Sequence, residues 1–221
     1  MGKSNNRGKA LLKVYDKLYT YYGPQDWWPG DSPFEVAVGA ILTQNTNWSN
    51  VEKAIVNLKS ARRLSARALH GLTTSKLASL IRPSGYFNIK AKRLKAFLAF
   101  LLESFNGSMK GMKKSDTASL RQALLDVNGI GPETADSILL YALDKPVFVI
   151  DAYTKRVMSR HGIMDSGASY DEYQLMFHRV LEKDIELFNE YHALLVMVGK
   201  DFCKPKPLCE HCPLTPPVTV S

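Results

Sequence analysis

Residues 115–143 read SDTASLRQALLDVNGIGPETADSILLYAL, and the reading of the chain starts from them. Apolar residues recur at Leu120, Ala123, Leu124 and Val127, the three-and-four spacing of an amphipathic helix. Ser115 or Asp116 is placed to cap that helix, which is predicted to run to about Asp126. A second stripe follows at Ala135, Ile138, Leu139 and Ala142, with Pro132 at the first helical position. Between the two lies Val127-Asn128-Gly129-Ile130-Gly131, whose glycines permit positive φ and leave the backbone bare. The segment is therefore predicted as helix, hairpin, helix. Its converging N–H groups and the dipole of the second helix suit a phosphate. An ordinary turn between two helices has the same local sequence, so the rest of the chain must decide.

Outward from this segment the helical spacing repeats. Val36, Gly39, Ala40 and Thr43 carry it, as do Leu94, Phe97, Leu98 and Leu101, then Leu175, Val180, Leu181 and Ile185. Only Val147-Phe148-Val149-Ile150 has a strand-like character. The chain is predicted to be all-α, with about ten helices of roughly 8–15 residues. Its 221 residues are enough to bury a core, and 45% hydrophobic with 23% charged residues excludes a disordered or collagen-like chain. No apolar run reaches the ~20 residues of a membrane helix, and Met1–Tyr15 has no apolar core of a signal peptide. A cytoplasmic, nucleoid-associated protein is expected, not a secreted or membrane one.

Charge is unevenly placed. The net charge is +8, yet the stretch between Glu52 and Glu103 holds no Asp or Glu and eleven Lys and Arg, leaving the remainder of the chain at −3. A basic segment on a near-neutral remainder is the footprint of a polyanion binder, although a solvated basic face has the same composition. Within this segment Pro83-Ser84-Gly85-Tyr86 forms a second turn, followed by a helix bearing Lys90, Lys92, Arg93 and Lys95. Two glycine turns and basic helices suit a sequence-independent grip on a DNA backbone, through Gly129, Ile130, Gly131, Thr134, Gly85 and Lys90.

The run Val127–Asp136, followed by Val149-Ile150-Asp151-Ala152-Tyr153-Thr154-Lys155-Arg156-Val157, resembles the helix–hairpin–helix (HhH-GPD) DNA glycosylases of the endonuclease III superfamily. The resemblance extends from about Trp27 to Pro213. It implies two helical domains with the active-site cleft between them: a six-helix barrel at 30–143 containing the hairpin motif at about 115–143, and a second domain of 1–29 with 144–214, before a tail at 215–221. It assigns the essential carboxylate to Asp151, which local sequence alone reads as a helix N-cap; the two roles are compatible. Glu133 stands where bifunctional members carry the lysine that forms a Schiff base, so this chain is expected to be a monofunctional glycosylase without lyase activity.

Trp27-Trp28-Pro29, then Leu42-Thr43-Gln44-Asn45-Thr46-Asn47-Trp48, then Arg82-Pro83-Ser84-Gly85-Tyr86 is similar to the 3-methyladenine DNA glycosylase III branch. That likeness implies a base stacked between Trp48 and Trp27 with Trp28 and Pro29 nearby, Gln44 and Asn45 at the gap in the DNA, and Lys200 beside the pocket as a modified lysine. The implied partner is double-stranded DNA with a damaged base, bound by a monomer. A cationic methylated purine suits aromatic faces. Alternatives are a glycosylase for oxidised or deaminated pyrimidines and a non-catalytic DNA-binding module. Cys203, Cys209 and Cys212 resemble the family's [4Fe–4S] loop, but the fourth position is Val218, so a cluster completed by another group, a lost cluster and a vestigial site stay open.

Overall fold

The computed structural model describes residues 2–218, with side chains from Asn6 onward. All regular elements among the described residues are helical. The α-helices are α1 (Gly2–Tyr22), α2 (Pro33–Leu42), α3 (Trp48–Ser60), α4 (Ala66–His70), α5 (Thr74–Leu80), α6 (Phe87–Phe105), α7 (Met109–Lys113), α8 (Thr117–Leu125), α9 (Pro132–Ser137), α10 (Ala152–Arg160), α11 (Tyr170–Val180) and α12 (Ile185–Asp201). Helices α1, α6 and α12, with 21, 19 and 17 residues, are longer than expected from the sequence. The chain divides into two compact units. One takes everything up to Trp27 together with everything from Pro146 on; the other is Trp28–Lys145. Residues 219–221 of the expected tail lie outside the described residues.

In the middle unit, α2 is buried from Glu35 to Leu42. It packs against α3, α6 and α9. Its start is set by Ser32, whose hydroxyl accepts from the Glu35 N–H, and by Pro33 at the first position. Helix α6 lays Leu94, Phe97, Leu98 and Leu101, all fully buried, against its neighbours α4 and α5. Each such side chain contributes about 1.5–3 kcal/mol relative to an exposed one.

The hairpin motif takes the predicted form, with departures at the second glycine and in the second helix. Asp116, not Ser115, caps α8: its Oδ2 accepts from the Ser119 N–H at 2.9 Å. Of the two hairpin glycines only Gly129 uses positive φ (+86°); Gly131 is extended (φ −92°, ψ 177°), and a Cβ there would meet nothing within 4 Å. The second helix also departs from the expected single α-helix. It stops at Ser137 and widens into a π turn, Ile138–Ala142, in which all five residues are buried. The wider turn carries Leu140 and Tyr141, off the predicted apolar stripe, into the core. The two helices of the motif are joined by a forked ion pair. Arg121 Nε and Nη2 donate to Oδ1 and Oδ2 of the fully buried Asp136 at 2.7 and 3.1 Å.

In the terminal unit, α1 contributes Ala10, Leu11, Val14 and Leu18, and α12 contributes Phe188, Tyr191, Leu194, Leu195 and Val198 to the core. The Tyr191 hydroxyl donates to the Leu11 carbonyl at 2.8 Å, tying α12 to α1. The strand-like run 147–150 forms no strand, because side chains of α11 satisfy its backbone. His178 Nε2 accepts from the Phe148 N–H at 2.9 Å, Gln174 Nε2 donates to the Phe148 carbonyl at 2.8 Å, and the Tyr170 hydroxyl accepts from the Ile150 N–H at 3.3 Å. Phe148 stacks on Phe177 with centroids 3.8 Å apart. Apolar on both faces yet unpaired, the segment is core lining.

Removing one partner of a buried forked pair costs far more than removing an exposed cap. Asp136→Ala is expected to destabilise the protein by about 3 kcal/mol, and Asp116→Ala by about 1 kcal/mol, read from urea unfolding midpoints. Equal effects would mean that Arg121–Asp136 does not hold the motif.

Candidate active site

The hairpin is held by a junction of side chains. Gln44 Nε2 donates to the Gly129 carbonyl at 3.0 Å and to the Thr134 hydroxyl at 2.9 Å, while Gln44 Oε1 accepts from Arg93 Nη1. A Cβ on Gly129 would fall 2.2 Å from Arg93 Cγ, so the arginine stem occupies the space that glycine leaves. Thr134 is buried and faces Gln44. Next to Gln44, Asn45 is exposed in the left-handed region at φ +52°. The structure thus separates the two residues expected at the DNA gap: Asn45 is presented outward and Gln44 is tied inward.

Lys90 also differs from its expected role on the DNA backbone. It is 1% exposed, and its ammonium donates to the carbonyls of Leu42 at 2.7 Å and Ser84 at 2.6 Å. It joins the end of α2 to the turn at Gly85, whose φ of +66° and ψ of 162° only glycine adopts readily. Burial first, and the neighbouring Arg93 charge second, lower the Lys90 pKa to about 8. Beyond the same turn, Tyr86 is 69% exposed in a left-handed conformation at the start of α6. The turn thus presents an aromatic ring to which the sequence reading gave no role.

Asp151 caps α10. Its Oδ1 accepts from the Thr154 N–H at 2.7 Å, which fixes the carboxylate in one orientation. Its Oδ2 lies 3.7 Å from Nε2 of His192 on α12, too far for a hydrogen bond. Burial lowers the His192 pKa, and the Asp151 charge opposes this only in part, so the imidazole is neutral near neutral pH. The sequence offered no signal for His192, a lone histidine in an apolar run. Further along the same unit, Lys200 Nζ stands 5.6 Å from the Trp27 ring, a cation–π contact. Lys200 lines a cavity of about 460 Å³ with Ala152, Tyr153, Arg156, Gly199, Lys204 and Pro205. Gly199 is required there, since a Cβ would meet the Tyr153 ring at 2.4 Å.

In the middle unit the other tryptophans meet. Trp28 packs edge-on against Trp48 at 5.1 Å and also lies against the Tyr141 ring at 4.9 Å. Trp48 opens α3, where Asn47 Oδ1 accepts from the Asn50 N–H at 3.1 Å. Pro29 is exposed beside Trp28. The π turn supplies Tyr141, an aromatic that the apolar stripe did not single out. Glu133 is exposed in the first turn of α9.

A family model described as HhH-GPD superfamily base excision DNA repair protein matches residues 38–183. The chain belongs to the HhH-GPD superfamily. It is 50% identical over 211 residues to the Methanocaldococcus jannaschii protein MJ1434, which carries the provisional name of DNA repair glycosylase; the match covers 95% of this chain and 96% of that one. A structure of H. pylori 3-methyladenine DNA glycosylase bound to 1,N6-ethenoadenine matches with TM-score 0.74 and 32% identity, over 88% of this chain and 97% of that one. A non-covalent endonuclease III–DNA complex matches in fold with TM-score 0.80 at 22% identity, over 94% and 92%. This HhH-GPD protein is an all-α DNA glycosylase of base excision repair, and its partner is DNA. No helix among the described residues is long and apolar enough to cross a membrane.

The cysteine loop of this HhH-GPD protein does not suit the four-thiolate cluster that the resemblance implies. Cys203 is buried, and its Sγ accepts from Arg160 Nη1 at 3.3 Å. Cys209 is exposed, and burial, the largest influence, raises the Cys212 pKa. Val218 is 3% exposed, and its N–H donates to His161 Nδ1 at 3.1 Å. Among the described residues no three His, Cys, Asp or Glu converge as a metal site. The loop is instead tied by guanidinium groups: Arg156 donates to the carbonyls of Gly199 and Cys203, and Arg160 to those of Lys204 and Pro205.

The internal position of Lys90 has two measurable consequences. Lys90→Met is expected to leave the salt dependence of DNA binding unchanged, because Lys90 neutralises no phosphate. Its folded pKa of about 8 lies below the unfolded value of 10.5, so the unfolded chain binds the proton more tightly. Stability from this residue therefore rises as pH climbs from about 8 to 10.5, and the difference between wild-type and Lys90→Met unfolding curves should show that rise. A salt slope reduced by about one would return Lys90 to the DNA surface.

Proposed function

We propose that this protein is a monofunctional glycosylase for alkylated purines such as 3-methyladenine. The observation that carries the reading is the N-cap carboxylate of Asp151, fixed through one oxygen; Glu133, in the first turn of α9, is exposed. In this reading the extruded base departs with the electron pair of its bond to C1′. The sugar becomes cationic as the bond lengthens. The Asp151 carboxylate steadies that charge and orients water toward C1′, taking its proton as the new C–O bond forms. A methylated purine is a good leaving group and demands little acid catalysis. Glutamate has no amine, so no Schiff base forms at position 133, and the product is an abasic site on an unbroken strand.

The substrate class draws support from two sources. One is the 32% identical H. pylori enzyme, named for 3-methyladenine. The other is the group of aromatic rings Trp28, Trp48 and Tyr141, whose faces suit a cationic base. Trp27 is already engaged by Lys200, and the two together offer an aromatic face with a cation beside it. On the DNA backbone, the reading keeps the hairpin at Gly129, Ile130 and Gly131 and the turn at Gly85, with Asn45 entering the gap. It gives Thr134 and Lys90 supporting positions behind them.

The test is base release from duplex DNA treated with a methylating agent. Wild type should release methylated purine, and Asp151→Asn should lose about 10²-fold or more of the rate while still binding DNA. Strand breaks should appear only after alkali. Glu133→Lys should become trappable on DNA by borohydride, and wild type should not. Release of uracil or thymine glycol without methylated purine would overturn the substrate assignment, and nicking by wild type without alkali would overturn the monofunctional one.

A further inference from the structure

We infer that His192 is a positioning residue for Asp151: its imidazole, on α12, backs the carboxylate oxygen that the cap of α10 leaves over. The inference rests on the proposed role of Asp151. That carboxylate has two close polar contacts among the described residues. Oδ1 accepts from the Thr154 N–H at 2.7 Å, and Oδ2 faces His192 Nε2 at 3.7 Å. The lysines and arginines of the two helices have other partners. Lys155 lies over the Tyr173 ring, Arg156 over the Tyr153 ring, and Lys200 over the Trp27 ring, while Arg160 donates to the carbonyls of Lys204 and Pro205. Burial outweighs the pull of Asp151 and keeps the imidazole neutral. The carboxylate therefore keeps its charge, and its second oxygen meets a dipole.

Helix packing puts the ring there. His192 and Gly199 are about two turns apart and share one face of α12. Gly199 lets that face close on α10: a Cβ there would meet Tyr153 Cδ1 at 2.4 Å, and Arg156 Nη2 donates to the Gly199 carbonyl at 3.1 Å. The same approach carries His192 to the start of α10, where Asp151 stands. The residue is 4% exposed, in a place where an apolar side chain would be easier to bury. What imidazole adds is a donor toward the carboxylate, which favours the tautomer with its proton on Nε2. That N–H can close on Oδ2 as the sugar becomes cationic, since such bonds are often long in a free enzyme and tighten in the complex. A carboxylate oxygen has two lone pairs, so Oδ2 still takes the proton of water. A lysine or arginine in this place would lower the basicity of Asp151 and offset the charge that steadies the sugar. A neutral imidazole orients the carboxylate and leaves that charge in place.

The test compares wild type, His192→Leu, His192→Gln, Asp151→Asn and the double variant Asp151→Asn/His192→Leu in single-turnover base release. The lesion is whichever the wild type excises, methylated purine or uracil, so the identity of the substrate and the role of His192 fail independently. Leucine keeps an apolar filling and removes the ring nitrogens; the glutamine amide nitrogen reaches the position of Nε2. His192→Leu should slow release by about tenfold or more, with binding to duplex DNA within about threefold of wild type. His192→Gln should recover most of that loss, and the urea midpoints of the two variants should not follow their rates. In the Asp151→Asn background, leucine should slow release no further, because His192 acts through the carboxylate. In ¹H–¹⁵N spectra of the free protein, the imidazole signal that both His192 variants lose should carry its proton on Nε2. A wild-type rate in His192→Leu, equal slowing by leucine and glutamine, further slowing in the double variant, or a proton on Nδ1 would each overturn the inference. A wild-type rate in Asp151→Asn would overturn the role of Asp151 itself, and the inference with it.

Discussion

The absence of a Cβ at residue 129 governs the functional end of the middle unit. The backbone there turns at φ +86°, and the stem of Arg93 fills the space beside it, 2.2 Å from where a Cβ would be. Any larger residue would meet both a strained conformation and an occupied volume. From this one position follow the approach of Arg93 to Gln44, the two bonds of Gln44 to the hairpin, and the placing of Asn45. The hairpin glycine is thus as much a packing requirement as a conformational one. Gly131, extended and with open space around it, has neither constraint and leaves its backbone clear for a ligand.

Buried polar groups do the ordering elsewhere. Lys90 draws two carbonyls together, Asp136 and Arg121 join the two helices of the hairpin motif, and side chains of α11 complete the backbone of 147–150. Each is costly to bury alone and inexpensive once its partners are in place, which makes such groups strict about geometry. The same economy of roles marks Asp151. One oxygen starts α10, and the proposed function assigns the chemistry to the carboxylate so fixed. An anion at a helix N-terminus is favoured by the free N–H groups and the helix dipole, which holds this carboxylate in place.

The cysteine loop is held by groups that the sequence motif does not name. Where four thiolates would hold a loop around iron, this chain has three thiols and a buried valine. Arg156 and Arg160, on α10 after Asp151, supply donors to four loop and helix carbonyls. A guanidinium has five donors in a rigid fork, so two of them satisfy several carbonyls of a short loop.

The sequence by itself determined the all-α class, the hairpin motif with its capping and proline positions, and Asp151 as a helix N-cap. These are local matters: periodicity, turn chemistry and capping act over a few residues. Tertiary structure decided which way the flanking side chains face. Gln44 and Asn45 are neighbours of similar chemistry, yet one is bound inward and the other exposed, because the partners of Gln44 lie 49, 85 and 90 residues away in Arg93, Gly129 and Thr134. Lys90 read as a surface cation for the same reason, since the two carbonyls that draw it inside have no sequence signature. His192 and Tyr141 became visible only when burial set one against Asp151 and a π turn set the other against Trp28. Long-range hydrogen bonding and packing, which leave no periodic trace, made those choices.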